Sequence, residues 1–122
     1  MNTLLWILAA PLALMFLTAA SVRALAYDLA RRQVAWVGAV PRPLLLFVSV
    51  AEILGALGLV LPGLTHTATS LIPLAAAGLG LVQLLALSFH VSRHERRNAT
   101  ANVALLAILT FIAVGRLALA PI

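Results

Sequence analysis

Four apolar runs, each long enough to cross a bilayer, constrain this chain more than any other feature. Leu4–Val22 and Thr67–Phe89 carry no charge, Pro43–Leu61 is interrupted once, by Glu52, and Ala99–Ala120 carries only Arg116. About 20 apolar residues in helical conformation span the hydrocarbon of a membrane. In lipid every backbone polar group must be satisfied within the protein. These runs lack the period-two alternation of barrel strands, so they read as helices and not as a closed barrel. Composition agrees: 64% of the 122 residues are hydrophobic and 9% are charged, against roughly 45–50% and 25% in soluble domains. The expected fold is all-α and integral to the membrane. It is an antiparallel four-transmembrane-helix bundle forming one domain over residues 1–122, with helices over about 4–26, 43–61, 67–91 and 99–120.

The punctuation between the runs sets the connections. Pro41 and Pro43 suit the entry of the second helix, where a missing N–H costs little, and Pro62-Gly63 is a turn signal that ends it. Pro11 and Pro73 lie inside apolar runs and are expected to kink their helices. Ala24–Gln33 reads as a continuation of the first helix beyond the membrane, with Asp28 facing Arg31 and Arg32 at helical spacing. Trp36 and Trp6 fit the interfacial belts on opposite sides.

The net charge of +5 is carried by arginines, and their placement orients the chain. Arg23, Arg31, Arg32 and Arg42 border or flank the first connection. Arg93, Arg96 and Arg97 occupy the third, and the middle connection has none. By the positive-inside rule, loops 1 and 3 are cytoplasmic and both termini face outward, in one orientation only. Clusters beside apolar spans are topology and headgroup contacts. They do not form the basic face that nucleic acid requires, so no nucleic-acid partner is expected. Ala24-Leu25-Ala26 has the small-residue form of a signal cleavage site. The Met1-Asn2-Thr3 start has no positive charge, so a retained first helix is expected. The chain has no cysteine, which excludes disulfides, thiol chemistry and thiolate metal sites of its own.

Ionisable groups at membrane depth are costly and mark function by default. Glu52 lies about 13 Å past Pro43 along a helix, and the small residues Gly55 and Ala56 on its face let another helix approach. Arg23 is the cation nearest in sequence logic to hold it charged. A pair of this kind serves equally as a lock between helices one and two. On helix three, Ala76, Gly80, Gln83, Leu87, His90 and His94 follow steps of four and three and share one face. Gln83 is expected near the depth of Glu52 and able to hydrogen-bond it. On helix four, Asn102 stands where it can bond toward the His90 end of helix three, and Arg116 is expected to snorkel outward or to face an outer vestibule with His66. Glu52, Gln83, His90, Arg23 and Asn102 are therefore the candidate ligand or proton-site residues. His90 and His94, four apart, are weak metal candidates without a third ligand, and no metal is expected. A phosphate loop, a Ser-His-Asp set and paired carboxylates are all missing, so no catalytic residue is assigned and an independent enzyme is not expected.

The stretch Ala51-Glu52-Ile53-Leu54-Gly55-Ala56-Leu57-Gly58-Leu59-Val60-Leu61-Pro62 resembles the helix-two signature of the DoxX-like family of small bacterial membrane proteins. Pro73-Leu74-Ala75-Ala76, His90-x-x-Arg93-x-Glu95, Arg23 and Val114-Gly115-Arg116 resemble further parts of the same pattern. The resemblance implies a four-helix bundle in the bacterial cytoplasmic (inner) membrane but no single activity. Family members are linked to thiosulfate–quinone oxidoreductase subunits, to membrane redox or detoxification complexes and to assembly of other membrane proteins.

Three functions follow as expectations. The first is a small accessory or scaffold subunit, with a protein partner or a second copy as company besides the lipid bilayer. The second is a lipophile-binding redox subunit, in which a quinone would meet Glu52, Gln83 and His90. The third is a small-molecule transporter exchanging a proton on Glu52.

Overall fold

The computed structural model describes every residue, Met1–Ile122. Helix α1 spans Asn2–Leu25. A short α2, Tyr27–Gln33, and a 3-10 turn, Ala35–Ala39, follow it. Then come α3 (Arg42–Thr65), α4 (Leu71–Ser92) and α5 (Arg96–Val114), the last extended by a π-helical turn over Gly115–Leu119. The protein is a multi-pass membrane protein: α1, α3, α4 and the α5 unit are each long and apolar enough to cross a bilayer. Large apolar side chains such as Phe47, Leu54, Leu74, Leu85 and Leu117 point outward, as they should where lipid is the solvent.

The long helices alternate in direction and pack in the order α1, α3, α4, α5, while α1 and α5 touch over a smaller stretch. The core runs through their centre: Leu5, Leu12 and Phe16 from α1, Leu59 from α3, Leu79 from α4, and Leu109 and Ile112 from α5. A second, smaller core of Ala30, Val37 and Leu45 lies at the arginine-rich end, hereafter the basic end.

That small core explains the first departure from expectation. Ala24–Gln33 is not one continuous helix. The backbone breaks at Ala26 (φ −130°, ψ 57°), which turns α2 so that Ala30 and Val37 are buried against Leu45 at the start of α3. Asp28 meets Arg31 at 3.7 Å, whereas Arg32 donates to the Asp28 backbone carbonyl at 3.3 Å.

Two prolines also behave differently from expectation. Pro62 does not end α3, which runs on to Thr65 and stops at His66, a left-handed residue with φ 52°. Pro62 forfeits only its own N–H bond, and its carbonyl accepts from the His66 and Thr67 amides. Pro73 is the third residue of α4, in the first turn, where its missing donor has no intrahelical acceptor to lose and no kink arises. Pro11 does sit within α1.

Candidate functional site in the basic half of the bundle

Each seam between helices carries its own device. Along α3, Leu45, Ser49, Glu52, Ala56 and Leu59 follow steps of four and three and are all buried, so Glu52 faces the bundle. Arg23, one turn before the break that ends α1, reaches back into the bundle, and its Nη2 donates to Glu52 Oε2 at 2.6 Å. Both side chains are nearly closed off, at 12% and 6% exposure. In the same seam the Arg23 guanidinium lies 5.6 Å from the centre of the Trp36 ring, a cation–π arrangement. Trp36 thus caps the ion pair from the 3-10 turn, a role beyond that of an interfacial anchor.

Gln83 does not bond Glu52. Its Oε1 accepts from Asn102 Nδ2 at 2.7 Å, in a buried bond that ties α4 to α5. Nor does Asn102 reach the His90 end of α4. Depth allows Gln83 either partner, and Glu52 is already engaged by Arg23. The α3–α4 register, in which Gly55 meets Leu79 and Gly58 meets Ala75, brings Glu52 level with Gln83. In the α4–α5 register, Gly80 meets Leu106, and Asn102 falls beside Gln83. The bundle therefore carries a polar layer at one depth, Arg23–Glu52 on one side and Gln83–Asn102 on the other.

Three polar atoms in this half are buried without a partner: Arg23 Nε, Ser49 Oγ and Asn102 Oδ1. Ser49, fully buried, escaped the reading of the sequence. Its signal was there, three residues before Glu52 on the same α3 stripe.

His90 is buried nearer the basic end, seven residues or about 10 Å along α4 from Gln83. Its Nδ1 lies 2.9 Å from Glu95 Oε1, and its ring meets Trp36 and Phe89 edge-on at 5.4 and 5.2 Å. Arg93 Nε donates to the same Glu95 oxygen at 3.0 Å. The His90 hydrogen bond, and after it Arg93, hold the Glu95 carboxyl below the usual carboxylate range despite some desolvation. Glu52, Gln83 and His90 thus belong to three separate pairings and do not converge on one small headgroup. His94 is exposed, and His90, His94 and Glu95 do not gather into a group able to hold a metal ion.

The opposite end has a single polar clasp. Arg116 is only 5% exposed, so it does not snorkel, and His66 is not its neighbour in any bond. Arg116 lies four residues past buried Ile112 and seven past buried Leu109, so it shares their inward face. There Nη1 donates to Asn2 Oδ1 at 2.6 Å and to the Ala120 carbonyl at 3.0 Å, and the guanidinium lies 5.6 Å from the Trp6 ring centre. This clasp closes α5 onto the start of α1.

The ionic and amide groups inside the bundle are thus mostly spent on one another, pair by pair, across neighbouring helices. Chemically, the layer can hold helices in register and set a guanidinium directly against the Glu52 carboxyl. No curated protein and no solved structure matches the chain. The family model described as DoxX-like matches residues 7–112, most of the sequence and every polar group of the layer, and the chain belongs to the DoxX-like family.

Proposed function

We propose that this protein is a small accessory or scaffold subunit of the bacterial cytoplasmic membrane, supporting a membrane complex of redox type. The observation that carries the reading is the pairing of polar groups. Arg23–Glu52, Gln83–Asn102 and Arg116–Asn2 each join two different helices, the arrangement expected when membrane-buried polar groups specify how helices assemble. A rigid bundle with few groups left over for chemistry suits a subunit that positions a partner. In this reading loops 1 and 3 are cytoplasmic and both termini face outward, an orientation the arginine distribution supports.

Native mass spectrometry on protein gently extracted from its host membrane tests the role. A stoichiometric polypeptide partner is the expected outcome. A bare chain retaining a lipophilic small molecule would replace the scaffold reading. Orientation is tested separately. Because the chain has no cysteine, His66→Cys and His94→Cys give clean single thiols. His66→Cys should react with an impermeant maleimide on intact spheroplasts, and His94→Cys only after permeabilisation. The reverse pattern would invert the topology.

A second reading, a lipophile-binding or proton-exchanging site at the Glu52 level, draws on the three unpartnered atoms Arg23 Nε, Ser49 Oγ and Asn102 Oδ1. Buried polar groups without partners ask for one. Glu52→Gln decides it: full function in a folded Glu52→Gln variant rules out both a proton donor and a proton carrier at this position.

A further inference from the structure

Two cavities open on the α4–α5 pair, and they line up. One, of about 200 Å³, lies at the basic end between the close of α4 and the start of α5. It is lined by His90, Val91, His94, Glu95, Arg96 and Ala99. The other, of about 340 Å³, is a largely apolar groove deeper in the membrane, whose walls include Ala77, Gly80, Leu84, Leu106, Thr110 and Ala113. Ala77, Leu84 and Val91 are spaced by seven on α4, and Ala99, Leu106 and Ala113 by seven on α5. Residues at that interval share a helix face, so both cavities face the same side of the molecule.

The upper cavity is cationic. Glu95 is already engaged by His90 and Arg93, whereas the Arg96 guanidinium has no ion-pair partner within the chain, and Arg97 adds a further charge beside it. Val91 to Leu84 is about 10 Å along the helix, and Val91 to Gly80 about 16 Å. Half the hydrocarbon thickness of a bilayer is about 15 Å. An acyl chain hanging from a headgroup at Arg96 would enter the groove at Leu84 and reach Gly80 near the midplane. Gly80 lines the groove and adds no side chain to it.

We infer that the α4–α5 face is a binding site for an anionic phospholipid, its phosphate held at Arg96 and His94 and one acyl chain lying in the groove over Gly80. The inference is independent of the accessory role. A cationic mouth at headgroup depth continuing into an apolar channel on the same face is complementary to one molecule with an anionic head and a hydrocarbon tail. A second protein chain would match the channel but would have to bury the charged mouth.

The test uses the full-length protein in detergent, with lipid binding read by native mass spectrometry. The probes are dipalmitoyl phosphatidylglycerol, its dihexanoyl analogue, dipalmitoyl phosphatidylcholine and inorganic phosphate. Dipalmitoyl phosphatidylglycerol should bind one to one and in preference to the other three. Arg96→Gln, at an exposed position, should weaken it about fivefold, the worth of one arginine at an anionic surface. Arg31→Gln, the same charge change on the α1–α3 side, should leave binding unaltered. Ala77→Phe, which fills the groove from an exposed position, should remove the preference for the long chain. Equal weakening by Arg31→Gln and Arg96→Gln would reduce the effect to diffuse charge and overturn the site. Displacement by inorganic phosphate, binding indifferent to chain length, or a lipid-free dimer would each overturn it as well.

Discussion

Between α3 and α4 the helices meet over glycine. A Cβ at Gly55 would stand 2.6 Å from Leu79 side-chain carbons, and one at Gly58 only 2.8 Å from Ala75 Cβ. Within the α1–α3 and α4–α5 pairs the closing contacts are instead Arg23–Glu52 and Gln83–Asn102. The molecule is thus two polar-clasped hairpins laid together along a seam of missing atoms and joined at the opposite end by the Arg116–Asn2 clasp. The two devices fail in opposite ways. A clasp breaks when atoms are taken away, because the partner left behind is buried and unpaired. The glycine seam breaks when atoms are added, most sharply at Gly58, where the neighbour is a Cβ that cannot swing aside.

The largest effect should come from breaking one clasp on one side only. Glu52→Ala strands the Arg23 guanidinium inside the bundle and should cost about 3–5 kcal/mol, the usual penalty for removing one member of a buried pair. Thermal unfolding in detergent measures it. The double variant Arg23→Met/Glu52→Leu removes both charges and should recover most of that loss. If it does not, the pair contributes more than a lock.

Gly58→Ala attacks the other device. Its new methyl meets a methyl on a neighbouring helix, which has no flexible end to swing aside, so overpacking of about 1–3 kcal/mol is expected, partly offset by the better helix propensity of alanine. Adding Ala75→Gly returns the space and should restore stability. Gly78→Ala is the control, since nothing lies within 4 Å of a Cβ there; it should be neutral or slightly stabilising. A Gly58→Ala variant as stable as Gly78→Ala would show that the seam is looser than its geometry.

Asn102→Ala should cost less than Glu52→Ala, about 0.6–2 kcal/mol for a hydrogen bond between membrane helices. Gln83→Leu made on top of it should then cost little more, because the partner is already lost.

Much of this was legible in the sequence, for identifiable reasons. Apolar runs of bilayer length fix helices whatever their neighbours do. The Glu52 stripe fixed which face of α3 turns inward, and the steps along α4 placed Gln83 at the right depth. Partner choice was not legible. Gln83 had Glu52 on one flank and Asn102 on the other at the same level, and what decides between them is that Glu52 is already engaged by Arg23. Trp36 lies in an irregular segment with no period to read, so its place over Arg23 had no signal. Arg116 looked like a snorkelling residue because it stands near the end of its span, yet it lies four residues past buried Ile112 and seven past buried Leu109, on the inward face.

The smallest expected effect lies outside the spans, at the turn between α4 and α5. There Glu95 ties His90 to Arg93 across the end of the second hairpin. The His90 hydrogen bond, then Arg93, lower its carboxyl in the folded protein. A carboxyl depressed on folding stabilises in full above its ordinary value and loses that stabilisation as pH falls through its folded value. The melting temperature in detergent should therefore drop on acidification below about pH 4.5, the ordinary value for this group. Glu95→Gln should flatten part of that drop while changing little at neutral pH, because an amide keeps one acceptor for His90 or Arg93. The other carboxyls are common to both proteins, so the difference between the two acid profiles isolates Glu95. Identical profiles would mean that the turn is held by its backbone bonds alone, the Glu95 amide to the His90 carbonyl and the His94 amide to the Val91 carbonyl. The polar devices of this bundle would then be confined to its interior.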